Sequence, residues 1–157
     1  MLNTYEEAMK RLDEQIGNKD GLFALSTISQ NKGPNGACIP AARLVDAYYE
    51  EGALYIVTHA KSNKMLEIAE NPEVAICVIV ENFTANGKAE NLGWVLNPQN
   101  EVIIEKLRQI FAEWYYVANN EADENCCIMK VTLTKGLWYD AHEGTRTEID
   151  FINKTVV

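Results

Sequence analysis

Residues 43–80 read RLVDAYYEEGALYIVTHAKSNKMLEIAENPEVAICVIV, and their order decides the fold. An arginine sits inside a run of β-formers that spans about Ala37 to Ala47. Glu50-Glu51-Gly52 then turns the chain into a second run, Ala53 to His59. Ser62 is a good helix cap, and Met65, Leu66, Ile68 and Ala69 supply an apolar side up to Asn71-Pro72, which stops the helix. Val74 to Val80 (VAICVIV) is continuously apolar, the pattern of a strand buried on both faces, with Cys77 as plain core.

Working outward, Leu22 to Ser29 reads as a strand, and Gly33-Pro34-Asn35-Gly36 is a dense turn signal before the next one. The connections among residues 22–59 are too short for parallel crossovers, so these strands form an antiparallel meander. Residues 4–16 read as a helix. Thr4 and Glu7 form a capping box, Tyr5, Ala8, Met9, Leu12 and Ile16 share one face, and Gly17 stops it. Phe83 to Leu96 reads as a strand with a bulge at Gly87. Asn97-Pro98 opens a longer helix whose buried face is Val102, Ile103, Leu107, Ile110, Phe111 and Trp114. After the acidic loop 119–125, Cys127 to Leu133 and Gly136 to Ala141 read as two strands joined at Thr134-Lys135, and residues 148–153 as an edge strand. About seven strands, one long helix and two short ones make a mainly β chain. The expected fold is a single domain over residues 1–157, an antiparallel β-barrel with peripheral helices. No G-x-G-x-x-G is present.

The net charge is −9, from 23 acids and 14 bases, which disfavours nucleic acid and anionic membranes as partners. Hydrophobic residues make up 47%, enough for a core, yet no apolar stretch approaches the ~20 residues that span a bilayer. Acids occupy the N-terminal region where a signal peptide carries bases, so the expected location is cytoplasmic. The four cysteines form no C-x-x-C; adjacent Cys126 and Cys127 in a strand face opposite sides, read as two reduced thiols, one in and one out, in preference to a vicinal disulfide.

Against this acidic background, Thr58-His59-Ala60-Lys61-Ser62-Asn63-Lys64 stands out. It ends a strand and begins a helix, where backbone N–H groups are unpaired and the dipole is positive. Ser62, Lys61 and Lys64 add a hydroxyl and two ammonium groups, which together suit a phosphate. The bland alternative is a capped surface helix with solvated lysines. Arg43, in an apolar strand, needs a matching charge. Either a bound phosphate or an ion pair to an acid supplies it.

The segment Arg43 to Val80, with Asn86-Gly87-Lys88-Ala89-Glu90 after it, resembles the pyridoxamine 5′-phosphate oxidase-like family of FMN-binding split barrels. The resemblance implies an FMN cofactor whose phosphate meets Arg43, Lys61, Ser62, Asn63 and Lys64. Leu44 and Val45 present backbone groups to the isoalloxazine ring, Val57 and Thr58 lie under it, and Asn82 stands where relatives often carry a glutamine. It further implies a homodimer with FMN at the interface, to which Trp94 or Trp138 contributes. The sequence departs from true pyridoxamine phosphate oxidases at Tyr48, where a substrate-binding lysine is expected, and lacks the C-terminal R-L-H-D-R motif.

The expected activity is electron or hydride transfer between a nicotinamide or other donor and a small acceptor. A non-catalytic flavin carrier, or a split barrel that binds haem or deazaflavin, are the alternatives. His59 adjoins the phosphate position; it either donates there or points elsewhere. No metal site is expected, since His142-Glu143 lacks the second histidine of H-E-x-x-H, its place taken by Arg146.

Overall fold

The computed structural model describes residues 2–157. Six antiparallel strands close a barrel: β1 (Gly21–Lys32), β2 (Cys38–Glu50), β3 (Ala53–His59), β4 (Glu73–Val78), β5 (Phe83–Trp94) and β6 (Cys126–Asp140). Their order is β3-β2-β1-β4-β5-β6, and β6 returns to pair with β3. Two further strands, β7 (Thr145–Asp150) and β8 (Thr155–Val156), extend the sheet from the far half of β6. The mainly β, antiparallel barrel expected from the sequence is therefore the fold.

The turns follow from local chemistry. Glu51 (φ 48°) and Gly52 (φ 80°) form a two-residue hairpin between Glu50 and Ala53, with both residues left-handed as that turn requires. Helix α1 (Tyr5–Ile16) has its capping box: Glu7 N donates to Thr4 Oγ1 at 3.1 Å, and Glu7 Oε2 accepts from Thr4 N at 3.2 Å. Its Ala8, Leu12 and Ile16 are buried. Helix α2 (Asn63–Glu70) bridges β3 to β4, and its Met65 and Ile68 join the barrel core beside Leu25, Ile56 and Ile76. Helix α3 (Glu101–Ile110) and the short α4 (Tyr115–Ala118) cover the outside, where Ile104, Leu107, Phe111 and Tyr115 pack with Tyr48, Cys126 and Ile128.

Several expectations need correction. The two strands assigned to 127–133 and 136–141 are one 15-residue strand. Gly87 pairs with Leu133 and Asn86 with Lys135, so Thr134 is an extra residue bulged out of the ladder rather than part of a turn. The bulge separates the half of β6 that closes the barrel on β3 from the half that carries β7. The edge strand expected at 148–153 lies at Thr145–Asp150, and residues 151–154 turn into β8. Val102 is 75% exposed while Ile104 is buried, because α3 starts at Glu101 after a 3-10 turn and its inward phase runs through Ile104, Leu107 and Phe111.

The VAICVIV run is buried on one face only. Val74, Ile76 and Val78 point into the barrel; Ala75 and Cys77 point out and are partly covered, so Cys77 is not core. Ile79 and Val80 lie beyond the strand, 66% and 89% exposed. Among the described residues no helix packs over that outer face. Cys126 and Cys127 do face opposite sides, but both are buried, because α3 and α4 cover the outer one. Burial raises both thiols, Cys126 to about 11, so neither is an activated nucleophile.

Gly87 sits where β5 crosses the bulge. A Cβ there would lie 2.8 Å from the Thr132 carbonyl and 2.9 Å from Val131 Cγ1. Gly87→Ala is expected to lower unfolding free energy by about 1–3 kcal/mol, read from urea denaturation, and an unchanged midpoint would refute the clash.

Candidate functional site

The pairing of β2 with β3 is unusually short. Only Tyr48, Tyr49 and Glu50 pair, with Tyr55, Leu54 and Ala53. Both strands continue past that point, β2 back to Cys38 and β3 on to His59, without a ladder between them. Extending the register would set Val45 opposite Thr58 and Leu44 opposite His59. The barrel is thus split between these residues, and one edge of β2 offers free backbone groups there. Helix α2 begins at the end of the split.

Arg43, Val45 and Ala47 alternate inward along β2, and Leu44 points out, 58% exposed. The Arg43 side chain enters the barrel end. Its Nη2 donates to Glu67 Oε1 at 2.6 Å, and its Nη1 donates to Thr27 Oγ1 at 2.5 Å and to the Leu25 carbonyl at 3.4 Å. The Thr27 hydroxyl donates in turn to Glu67 Oε1 at 3.1 Å. Of the two ways to match the arginine charge, the ion pair is present, to a buried carboxylate on α2.

Lys64 lies one turn before Glu67 but is not paired with it. Among the described residues no carboxylate forms an ion pair with Lys64. Partial burial, and then the Arg43 charge, push its ammonium below the ordinary lysine value. Two cations are therefore held close at the start of α2. The cap residue Ser62 makes no side-chain bond to the helix N-terminus; its hydroxyl lies 3.4 Å from Thr58 Oγ1. Lys61 and Asn63 are exposed around this spot.

The remaining expected residues divide. Val57 and Thr58 line the β3 side of the split, both partly buried. His59 turns to the acidic loop: its Nε2 is 3.4 Å from Asp123 Oδ2, and its Nδ1 accepts from Lys61 N at 3.2 Å. Since Nδ1 accepts, the ring proton belongs on Nε2, facing Asp123. Asn82 is not brought to this cluster within the chain. It occupies the β4–β5 turn (φ 48°), and its side-chain amide donates to the Tyr139 carbonyl at 2.6 Å. Trp138 is enclosed under Arg11 and against Phe83, and its Nε1 donates to Gln15 at 3.0 Å; Trp94 is partly buried and donates to the Glu121 carbonyl at 2.8 Å. Tyr48, where the lysine is expected, is buried against α3.

Sequence reading missed Glu67 and Thr27. Strand alternation from Phe23 and Leu25 points Thr27 inward, a legible signal, whereas Glu67 lies opposite the expected apolar arc of Met65, Leu66, Ile68 and Ala69; α2 docks by Met65, Glu67 and Ile68 instead, and leaves Leu66 and Ala69 exposed. It also missed the support from loop 119–125. Arg108 clasps that loop by Nε and Nη2 bonds to Glu121 of 2.8 and 2.9 Å, Tyr115 Oη donates to Glu121 at 2.8 Å, and the Asn125 carbonyl accepts from Ala60 N at 2.7 Å.

With this geometry in hand, residues 9–138 match the family of pyridoxamine 5′-phosphate oxidase. The chain belongs to that family. No curated protein matches its sequence. Among solved structures, a NimC/NimA family protein from Clostridium acetobutylicum is 20% identical, with a TM-score of 0.58, over 98% of this chain and 96% of that protein. A heme binding protein from Mycobacterium smegmatis is 14% identical with a TM-score of 0.68, covering 97% of this chain and 60% of that one. A FAD-binding protein from Mesorhizobium loti is 11% identical with a TM-score of 0.56, over 78% and 88%. At these identities the likeness is one of fold.

The clasp has a pH signature. The Arg108 bonds, above all, hold the Glu121 carboxyl below its usual range. A carboxyl lowered on folding stabilises the fold fully above its unfolded value of about 4.5, and that contribution disappears as pH falls through the folded value. Glu121→Gln is expected to cost about 2 kcal/mol at pH 7. Thermal melts across pH check this: the gap to the native chain should shrink as pH falls below about 4.5, and a gap constant with pH would refute it.

Proposed function

We propose that this chain binds FMN, with the phosphate between Lys64 and Arg43 at the start of α2 and the ring in the split between β2 and β3. The carrying observation is Lys64: half-buried, beside a second cation, at a helix N-terminus, and without a carboxylate partner. An anion in that place relieves the repulsion and takes up the free helix N–H groups. Lys61, Ser62 and Asn63 border the same spot. The unpaired edge of β2 at Leu44 and Val45 suits the hydrogen-bonding edge of an isoalloxazine, and Val57 and Thr58 form the opposite wall. Family membership supports a flavin.

Bound flavin supplies hydride and electron transfer, and the residues of the split supply position and charge. The reading is an oxidoreductase that moves electrons from a nicotinamide or other donor to a small acceptor. Haem is disfavoured by the two histidines: His59 Nε2 faces Asp123, and His142 stands on the exposed β6–β7 turn. Four free cysteines suit a reducing compartment, the cytoplasm. The chain works as a homodimer in this reading. Leu22, Leu44, Ala75 and Cys77 lie on one outer face of β1, β2 and β4, with exposed Ile79 just past the end of β4, a surface that favours association.

Purified protein given FMN should show a bound-flavin spectrum and oxidise a nicotinamide cofactor with a screened acceptor. A Soret band, or no uptake of FMN, would overturn the flavin; a bound flavin without turnover would make the chain a carrier. Lys64→Ala is expected to weaken FMN roughly ten- to a hundredfold, the worth of a charge-assisted hydrogen bond, whereas Lys135→Ala on the outer face leaves it unchanged. Light scattering should give twice 17.7 kDa, and Ile79→Glu should give the monomer mass.

A further inference from the structure

The anion site contains its own carboxylate. Glu67 is 5% exposed, and its Oε1 takes bonds from both Arg43 (2.6 Å) and Thr27 (3.1 Å). Thr27 is itself buried and accepts from Arg43, so the three side chains close a small network inside the barrel end. Arg43 has five N–H donors, and its three bonds here leave others free for a ligand. Its charge, however, is largely cancelled at short range. Of the remaining cations, Lys64 is half-buried and faces Arg43, while Lys61 is exposed and screened by solvent. The shielded charges are thus Lys64 and Arg43 against Glu67, a net of about one positive.

A terminal phosphate monoester carries about −1.5 to −2 at pH 7. A phosphate bonded to Arg43 lies just across the guanidinium from the Glu67 carboxylate. Repulsion from that carboxylate grows with the ligand charge as the attraction to Arg43 and Lys64 does, so a second negative charge meets only about one net positive, while the cost of desolvating the ligand rises faster than its charge. We infer that Glu67 is a specificity-determining residue, which sets this site to accept a singly charged phosphate about as well as a doubly charged one. The inference rests on the phosphate reading of the site given above.

The test uses the full chain and three ligands of graded charge: riboflavin, the methyl ester of FMN (one negative charge) and FMN. The wild-type chain should bind the ester within about threefold of FMN, since the second charge gains little beside a carboxylate. Glu67→Gln keeps the Oε1 acceptor for Arg43 and Thr27 and removes only the charge. It should tighten FMN roughly tenfold and the ester about threefold, with riboflavin changed by less than twofold. A wild-type preference of tenfold or more for FMN over its ester overturns the proposal without any variant. So does a Gln variant that shifts all three ligands equally or weakens FMN, because that pattern marks Glu67 as a structural prop. If wild-type chain binds riboflavin as tightly as FMN, the phosphate reading itself fails, an outcome distinct from the others.

Discussion

The ion pair between Arg43 and Glu67 ties the fold to the site. One partner comes from β2 and the other from α2, and Thr27 adds β1, so three elements distant in sequence meet at one buried carboxylate oxygen. Breaking a buried pair by removing one partner costs about 3–5 kcal/mol, since the other charge is left uncompensated. That cost fixes the rotation of α2 on the barrel end. The same rotation sets Lys64, three residues before Glu67, on the side of Arg43. The two cations at the start of α2 are thus placed by a bond that itself lies deeper in the barrel.

The barrel's closure makes the split possible. A strand released from its neighbour loses ladder hydrogen bonds, and β3 tolerates this because β6 pairs along its whole length, from Ala53 with Thr132 to His59 with Cys126. β6 has the length for this duty because the bulge at Thr134 bends it, so that one strand serves β3, β5 and β7 in turn. β2 is held on its other side by eight consecutive pairs with β1, from Gly21–Ala47 to Ile28–Pro40. The gap between β2 and β3 is therefore a rigid one, with anchored walls and a free edge.

Most elements were legible in the sequence because local chemistry specifies them: the Thr4–Glu7 box, the Glu51-Gly52 turn, the Asn71-Pro72 stop. The order of motifs from Arg43 to Val80 carried the family. Errors arose where a long-range partner decides the outcome. Thr134-Lys135-Gly136 has turn-like composition, and only the pairing with Asn86 and Gly87 makes it a bulge. VAICVIV looks doubly buried because its outward residues are as apolar as its inward ones, although no helix among the described residues covers them. For Arg43 the sequence left a phosphate or an acid as the counter-charge; choosing needs the inward direction of Glu67, which depends on how α2 docks.

The support for the β3–α2 junction also comes from far along the chain. Arg108 on α3 holds Glu121, and the loop so fixed carries Asp123 to His59 and the Asn125 carbonyl to Ala60. An exposed acidic loop of seven residues would otherwise repel itself and pay a conformational cost to stay folded. Two of its carboxylates instead have cationic or N–H partners: Glu121 in the Arg108 clasp, and Asp123 bonded by Asn125 and next to His59. Both are held below the usual carboxylate range, above all by those hydrogen bonds. These two acids are thereby bonded to partners other than Lys64. In a chain with net charge −9, Lys64 and Arg43 thus stand as two neighbouring cations at the start of α2, and Lys64 has no carboxylate partner among the described residues.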